Sequence, residues 1–235
     1  MNRTHVIQQI IDAKNAYNYL EIGIQNGANF FRIRAPHKVA VDPAFIFMKL
    51  RTLGLSLKYN RSKSSEYHRC SSDDYFNRYK IPTFFDVIFI DGLHTFEQSL
   101  QDVLNALNRL NDDGVVILHD CNPPTVLEAH PARSWHHIAA MNLPGWSGVW
   151  CGDVWKTIVY LRALQNDLKV FVLDCDLGIG IVTKGVPDSV CHLTLPEINA
   201  MTFTDLNRDR IGLLNLKNIN YLTNLIAGLQ TPLSP

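Results

Sequence analysis

Four side chains with acid–base or metal-binding chemistry follow two apolar runs. Asp91 and His94 come just after Phe85-Asp86-Val87-Ile88-Phe89-Ile90, and His119 and Asp120 come just after Val115-Val116-Ile117-Leu118. Such near-continuous apolar runs are central parallel strands, and in open α/β sheets ligands bind at the carboxyl ends of the strands. Two readings of the cluster stand side by side. In one, Asp91 and Asp120, with His119, hold Mg²⁺ or another divalent ion that lowers the pKa of an acceptor hydroxyl. A histidine ligand would shift that preference toward Mn²⁺, Fe²⁺ or Zn²⁺. In the other, no metal takes part and His94 or His119 is the general base, for which an ordinary pKa of about 6.5 is well suited. Taken singly, each histidine has an equally good structural role, His94 capping the helix opened by Thr95 and His119 packing in the core.

A second constellation lies upstream. Tyr19-Leu20-Glu21-Ile22-Gly23-Ile24-Gln25-Asn26-Gly27 is a strand that stops in a glycine turn, E-x-G-x-x-x-G, and Val39-Ala40-Val41-Asp42 is a second strand ending in an acid. Gly23 and Gly27 offer backbone without Cβ where a ligand must come close. Asp42 lies roughly twenty residues beyond the turn, the separation at which a βαβ unit sets two strand ends side by side, and it is placed to accept from ribose hydroxyls. Gln25 stands where the dinucleotide fingerprint has its middle glycine, and Pro36 closes the next helix soon after Phe31, so no helix N-terminus is prepared for a pyrophosphate. Glu21 would repel a diphosphate and suits a ligand with an amino group. An adenosyl ligand carrying an amino acid and a sulfonium fits these residues better than NAD.

The elements that must position these groups read as strand, helix, strand in repetition. Val6, Ile7, Ile10 and Ile11 predict an opening helix over 4–16. Strands are expected over 18–23, 38–42, 67–70, 85–90 and 115–118, with a short helix and a loop over 45–65. Thr95 and Gln98 open a helix whose apolar face carries Phe96, Leu100, Val103, Leu104, Leu107 and Leu110. Asn111-Asp112-Asp113-Gly114 ends it. Asp153 starts another helix, and Lys169–Leu173 and Ile179–Thr183 are joined too tightly to be anything but an antiparallel hairpin. The pattern predicts an α/β fold: a Rossmann-like open sheet, mostly parallel, with a C-terminal antiparallel hairpin and helices on both faces.

Residues 122–152 break the period, with prolines, several histidines, and Trp135, Trp146 and Trp150. A stretch of that length is expected to be a lid or acceptor wall, its tryptophans stacking on a sugar or forming a small core of their own. His130, His136 and His137 read as solvent-facing. Residues 187–235 read as a helical extension of two short helices, whose apolar faces suggest a homodimer.

Composition narrows the field. The chain has 235 residues, 46% hydrophobic, enough for one large domain over 1–235 with its core at about 5–185. Lys plus Arg and Asp plus Glu both total 22, so a basic footprint for nucleic acid is missing. No apolar run is long enough to span a bilayer, and the N-terminus does not read as a secretory h-region. Cys70, Cys121, Cys151, Cys175 and Cys191 contain no C-x-x-C, which argues against a disulfide framework or zinc ribbon and for reduced thiols in the cytoplasm.

An open parallel sheet finished by an antiparallel hairpin, with E-x-G-x-x-x-G at strand one and an acid at strand two, resembles the class I S-adenosylmethionine-dependent methyltransferases. The resemblance covers roughly residues 5–185. It is closer to the methyltransferase-domain group containing macrolide-sugar O-methyltransferases and cephalosporin-hydroxylase-like proteins, whose F-I-D-G-x-H and H-D are seen in Phe89–His94 and His119-Asp120. The resemblance implies S-adenosylmethionine as cofactor and a small-molecule hydroxyl as acceptor. It implies that Glu21, Gly23 and Gly27 line the methionine and ribose part, that Asp42 takes the ribose hydroxyls, that Ser72 and Asp73 lie near adenine, and that Asp91 sits at the methyl-donor end. The chain departs from the group at Gln25 and at Cys121, where metal-dependent relatives often carry Asp or Asn. Two rival classes remain: a non-catalytic module that keeps the cofactor pocket, and a nicotinamide- or metal-dependent oxidoreductase.

Overall fold

Residues 1–45, 64–78 and 83–230 are described by the computed structural model of the chain. The short helix and loop expected over 45–65 lie almost wholly outside them. The chain divides into two compact units, Met1–Gly92 with Asp102–Ile117 and Leu222–Pro235, and Leu93–Gln101 with Leu118–Tyr221.

In the first unit, helix α1 (Arg3–Lys14) is capped by the Asn2 side chain, which accepts from His5 N, and it buries Val6, Ile7, Ile10 and Ile11. Strands β1 (Asn18–Ile22), β2 (His37–Val41), β3 (Ser64–His68), β4 (Phe85–Ile90) and β5 (Leu110–Leu118, its last residue assigned to the second unit) run in the order β3-β2-β1-β4-β5. The β1–β2, β1–β4 and β2–β3 pairs are all parallel. Burial on both faces explains their sequence: Phe85, Val87, Ile88 and Phe89 have no exposed surface, and each such side chain contributes about 1.5–3 kcal/mol. Register then sets the site. Ile22 pairs with Val41 on one side and with Ile90 on the other, so the residues that follow them, Gly23, Asp42 and Asp91, emerge along one edge. Helix α2 (Ser72–Arg78) follows β3, with Ser71 Oγ accepting from Asp74 N. Helix α3 (Phe96–Leu107) follows β4, and Thr95 Oγ1 accepts from Gln98 N at 3.3 Å, as the capping pattern predicted.

The second unit holds α4 (Trp135–Ala140), α5 (Val154–Leu164), β6 (Leu168–Leu173), β7 (Ile179–Lys184), α6 (Leu195–Ala200), α7 (Phe203–Arg208), α8 (Arg210–Leu214) and β8 (Leu216–Lys217). Its strands run β7-β6-β8, with β6 and β7 antiparallel from Leu173↔Ile179 outward, so the predicted hairpin is present. Helix α9 (Tyr221–Gln230) closes the described chain. The fold class is the expected one: α/β, with parallel strands in the first unit, an antiparallel hairpin in the second, and flanking helices.

Three local expectations need correction. No helix forms between β1 and β2; the segment makes successive turns, with Phe31 N bonded to Gly27 O and Ile33 N to Asn29 O. The buried Lys38 ammonium takes the Phe30 and Ile33 carbonyls at 2.8 and 3.0 Å, and so occupies acceptors that a continuing helix would need. Strand β5 starts at Leu110, with Asn111 Nδ2 donating to Asp86 Oδ1 at 2.6 Å while Asp112 and Asp113 are exposed. The tail has four helices among the described residues, where two were expected.

Candidate active site

The strand ends of the first unit hold the residues expected to line a cofactor. Gly23 has φ +82°, and a Cβ added there would stand 2.0 Å from the Asp91 carbonyl oxygen and 2.8 Å from Gly92 Cα. Both conformation and space therefore demand glycine. Gly27 also has positive φ, and a Cβ would strike the Phe31 ring. Gln25, the departure from the glycine pattern, keeps a glycine-like backbone with φ 45°. Its N–H donates to Asp42 Oδ2 at 2.7 Å, which offsets part of the cost of the left-handed conformation. Asp42 Oδ1 accepts from Ala44 N at 2.7 Å. Each Asp42 oxygen thus takes one backbone N–H, and a carboxylate oxygen has a second lone pair for a hydroxyl donor.

Glu21 is 1% exposed. Its Oε2 accepts from Tyr19 Oη at 2.6 Å and from Asn29 Nδ2 at 3.0 Å, and Asn29 Oδ1 in turn accepts from Thr4 Oγ1 at 2.7 Å. Burial pushes its carboxyl up to about 7, against the pull of those two donors, with Asp91 adding to the rise and Lys38 opposing it. Tyr19 was legible in principle, since residues two apart on a strand share a face. Asn29 and Thr4 carried no such signal. Asp91 Oδ2 is ion-paired to Arg3 Nη1 at 2.7 Å, 88 residues away in sequence. Ser72, near the start of α2, donates from Oγ to Asp102 Oδ1 at 2.6 Å, and Asp102 is 1% exposed. Asp73 lies in the first turn of the same helix.

His94, His119 and Asp120 are brought together within the second unit. Asp120 has φ 61° and is buried. Its Oδ2 lies 3.3 Å from His94 Nδ1, and its Oδ1 lies 3.1 Å from His119 Nδ1 and accepts from Cys151 Sγ at 3.5 Å. Desolvation and the Asp120 charge hold the Cys151 thiol well above its ordinary range, so it is a donor and not a thiolate. His119 is buried, with Nε2 3.7 Å from Asp176 Oδ2. His94 Nδ1 lies 2.6 Å from the Trp150 carbonyl, and the two rings stack at 5.3 Å. A carbonyl can only accept, so Nδ1 carries the proton and the neutral ring has its lone pair on Nε2. The segment after Trp150 grips His94 further: Asp153 N bonds to its carbonyl, and a Cβ on Gly152 would meet that same oxygen at 2.0 Å. Trp150, from the stretch expected to be a lid or acceptor wall, orients His94 through its carbonyl and ring. His130, His136 and His137 take no part in this cluster, and the Trp135–Trp146 pair packs together at 6.0 Å with both indole N–H groups bonded to backbone carbonyls.

Solved methyltransferase structures share this architecture. A family model described as a methyltransferase domain matches residues 20–121, the span from β1 to the end of β5 that carries the glycine turn, Asp42, Asp91, His94 and Asp120. Among solved structures, the O-methyltransferase TomG from Streptomyces achromogenes, involved in tomaymycin synthesis and determined in complex with SAM, superposes with a TM-score of 0.53 at 13% identity, covering 78% of this chain and 79% of that one. The O-methyltransferase from Bacillus cereus in complex with SAH gives 0.53 at 16% identity, covering 78% and 82%. At such identities the likeness is one of fold. No protein of curated function matches the sequence. Among the described residues no helix is long and apolar enough to cross a membrane. The residues present fit a sulfonium nucleoside: acceptor capacity on both oxygens of Asp42 at the end of β2, and a buried carboxyl at Glu21 on the adjoining β1.

Proposed function

We propose that this protein transfers a methyl group from S-adenosylmethionine to a hydroxyl of a small molecule, a sugar or another natural product. When bound, S-adenosylmethionine supplies an electrophilic methyl group on a sulfonium. Asp42 takes the ribose hydroxyls, Gly23 and Gly27 let the nucleoside lie against backbone, and Ser72 and Asp73 stand toward the base. Glu21 and Asp91 supply negative charge for the amino-acid end. His94 Nε2 would accept the proton of the acceptor hydroxyl, leaving its oxygen free to take the methyl group that the bound cofactor would supply. Asp120, 3.3 Å from Nδ1, stabilises the imidazolium that results, and a base so held contributes about 10²–10⁴ in rate.

A divalent ion would draw on Asp120 and His94, whose ligand-type atoms lie within 4.8 Å of each other, with Asp91 and His119 as the other candidates. The two roles exclude one another at His94, because a single Nε2 lone pair either binds a metal or accepts a proton. The metal-free reading has the better support, since both oxygens of Asp120 already face histidine nitrogens.

The observation that carries the reading is Asp42, at the end of β2 beside the β1 turn, whose two oxygens each take one backbone N–H and keep a lone pair for a hydroxyl. The test is transfer of a labelled methyl group to a panel of sugars and phenolic natural products, with and without chelator. Transfer that survives chelation and is lost in His94→Gln supports it. Transfer abolished by chelation and restored by Mg²⁺ replaces the base with a metal. Binding of S-adenosylhomocysteine without transfer to any acceptor makes the protein a binding module.

A further inference from the structure

In the second unit, residues 125–130 and 147–152 are tied to each other. Glu128 O accepts from Cys151 N at 2.8 Å and from Gly152 N at 3.0 Å, and His130 O accepts from Trp150 Nε1 at 2.8 Å. A further tie is the Glu128 side chain. The residue is 6% exposed, its Oε1 accepts from Ser147 Oγ at 2.7 Å, and its Oε2 accepts from Thr125 Oγ1. Although desolvation opposes it, the hydrogen bonds from Thr125 and Ser147 hold the carboxyl below its ordinary range, so both oxygens are acceptors near neutral pH.

What this clamp carries is the contact that holds His94. Trp150 O lies 2.6 Å from His94 Nδ1, its ring stacks on the imidazole, and the adjacent Cys151 donates to Asp120 Oδ1. Ser147 Oγ also accepts from Val149 N at 3.2 Å. One hydroxyl therefore shapes the turn leading into Trp150 and anchors that turn to Glu128.

We propose that Glu128 is a positioning residue for His94: by anchoring the 147–152 segment it keeps the Trp150 carbonyl on Nδ1, and so keeps the proton of the neutral ring on that nitrogen. The inference rests on the reading of His94 as the base. Which ring nitrogen of a neutral histidine carries the proton is set by the hydrogen bond the ring makes, and such a bond weakens steeply as its angle closes. A carbonyl on a loosened loop would leave both tautomers populated, and a ring protonated on Nε2 has no lone pair there for an acceptor hydroxyl.

The test is nitrogen NMR of the full chain labelled in its histidine rings, at about pH 8, where an ordinary imidazole is neutral. The His94 signals are identified by their loss in His94→Gln. Wild-type His94 should carry its proton on Nδ1. Glu128→Ala should move the tautomer ratio about 5-fold or more toward the Nε2–H form, as expected for the loss of about one hydrogen bond. Ser147→Ala, which removes only an exposed hydroxyl, should move it the same way by less, and it decides the matter if Glu128→Ala does not fold. Glu128→Gln should restore the wild-type signal, because a Ser or Thr hydroxyl can accept from the amide as well as donate. His37 and His68, in the first unit, should not shift in any variant. A wild-type His94 protonated on Nε2 overturns the proposal, and so do His94 signals that ignore both alanine variants. Shifts of His37 and His68 alongside His94 make Glu128 a brace of the whole fold and overturn it too. Labelled-methyl transfer tests the parent reading apart. Transfer lost in His94→Gln, with His94 signals indifferent to Glu128, overturns the proposal alone; undiminished transfer in His94→Gln removes the base reading and the proposal with it.

Discussion

Replacing Glu21 with Gln should change how stability depends on pH. The carboxyl is 1% exposed, and burial raises it from 4.5 to about 7. Between those values the folded chain holds a proton that the unfolded chain has released, so the unfolded state binds fewer protons and stability falls as pH rises. The contribution is fully present below the unfolded value and is gone once pH has passed the folded one. At about 1.4 kcal/mol for each pH step, the fall from pH 4.5 to 7 amounts to about 3 kcal/mol. Glu21→Gln keeps the shape and an acceptor for Tyr19 but has no proton to lose. The stability of the variant relative to wild type should therefore rise by about 3 kcal/mol from pH 4.5 to pH 8, which for a chain of this size is about 6–12 °C in Tm. Urea unfolding of both proteins across that range measures it. A difference that stays flat with pH would mean that Glu21 ionises as freely as in the unfolded chain, and the buried network with Tyr19 and Asn29 would be wrong.

Three further outcomes follow from the same geometry. Gly23→Ala forces a Cβ onto the Asp91 carbonyl at positive φ and should cost about 3 kcal/mol or more, with loss of S-adenosylhomocysteine binding; a stable variant with intact affinity would remove the turn from the site. Gln25→Gly should leave the turn in place and gain up to about 1 kcal/mol, because glycine tolerates the φ of 45° that Gln25 holds; a loss in thermal denaturation would show that the Gln25 side chain matters more than its backbone. His94→Gln should lower turnover about 100-fold or more and flatten the acid limb of the pH–rate profile, with S-adenosylhomocysteine affinity unchanged; undiminished turnover would move the base elsewhere.

The fold was legible where apolar runs were long and the connections short. Phe85–Ile90 became β4 residue for residue, and the five-residue link from Asp174 to Gly178 allowed only the β6–β7 hairpin. Polar residues misled at Asn111–Gly114, because turn-type side chains also suit the exposed first half of a strand. The helix expected after Gly27 failed for a reason no local pattern carries: a lysine on the next strand reaches back to its carbonyls. For the site, sequence named the strand-end residues, since strand ends and register follow from local pattern. It could not name their partners. Arg3 meets Asp91, Ser72 meets Asp102 and the Trp150 carbonyl fixes the tautomer of His94, each over dozens of intervening residues, and only the folded chain supplies those pairings.

Titration of S-adenosylhomocysteine and of NAD into wild type and Asp42→Ala tests the central claim most directly. One site for S-adenosylhomocysteine, none for NAD, and a weakening of about 10-fold or more in Asp42→Ala from lost ribose contacts are the predicted results. Binding of NAD with no heat from S-adenosylhomocysteine would contradict the account.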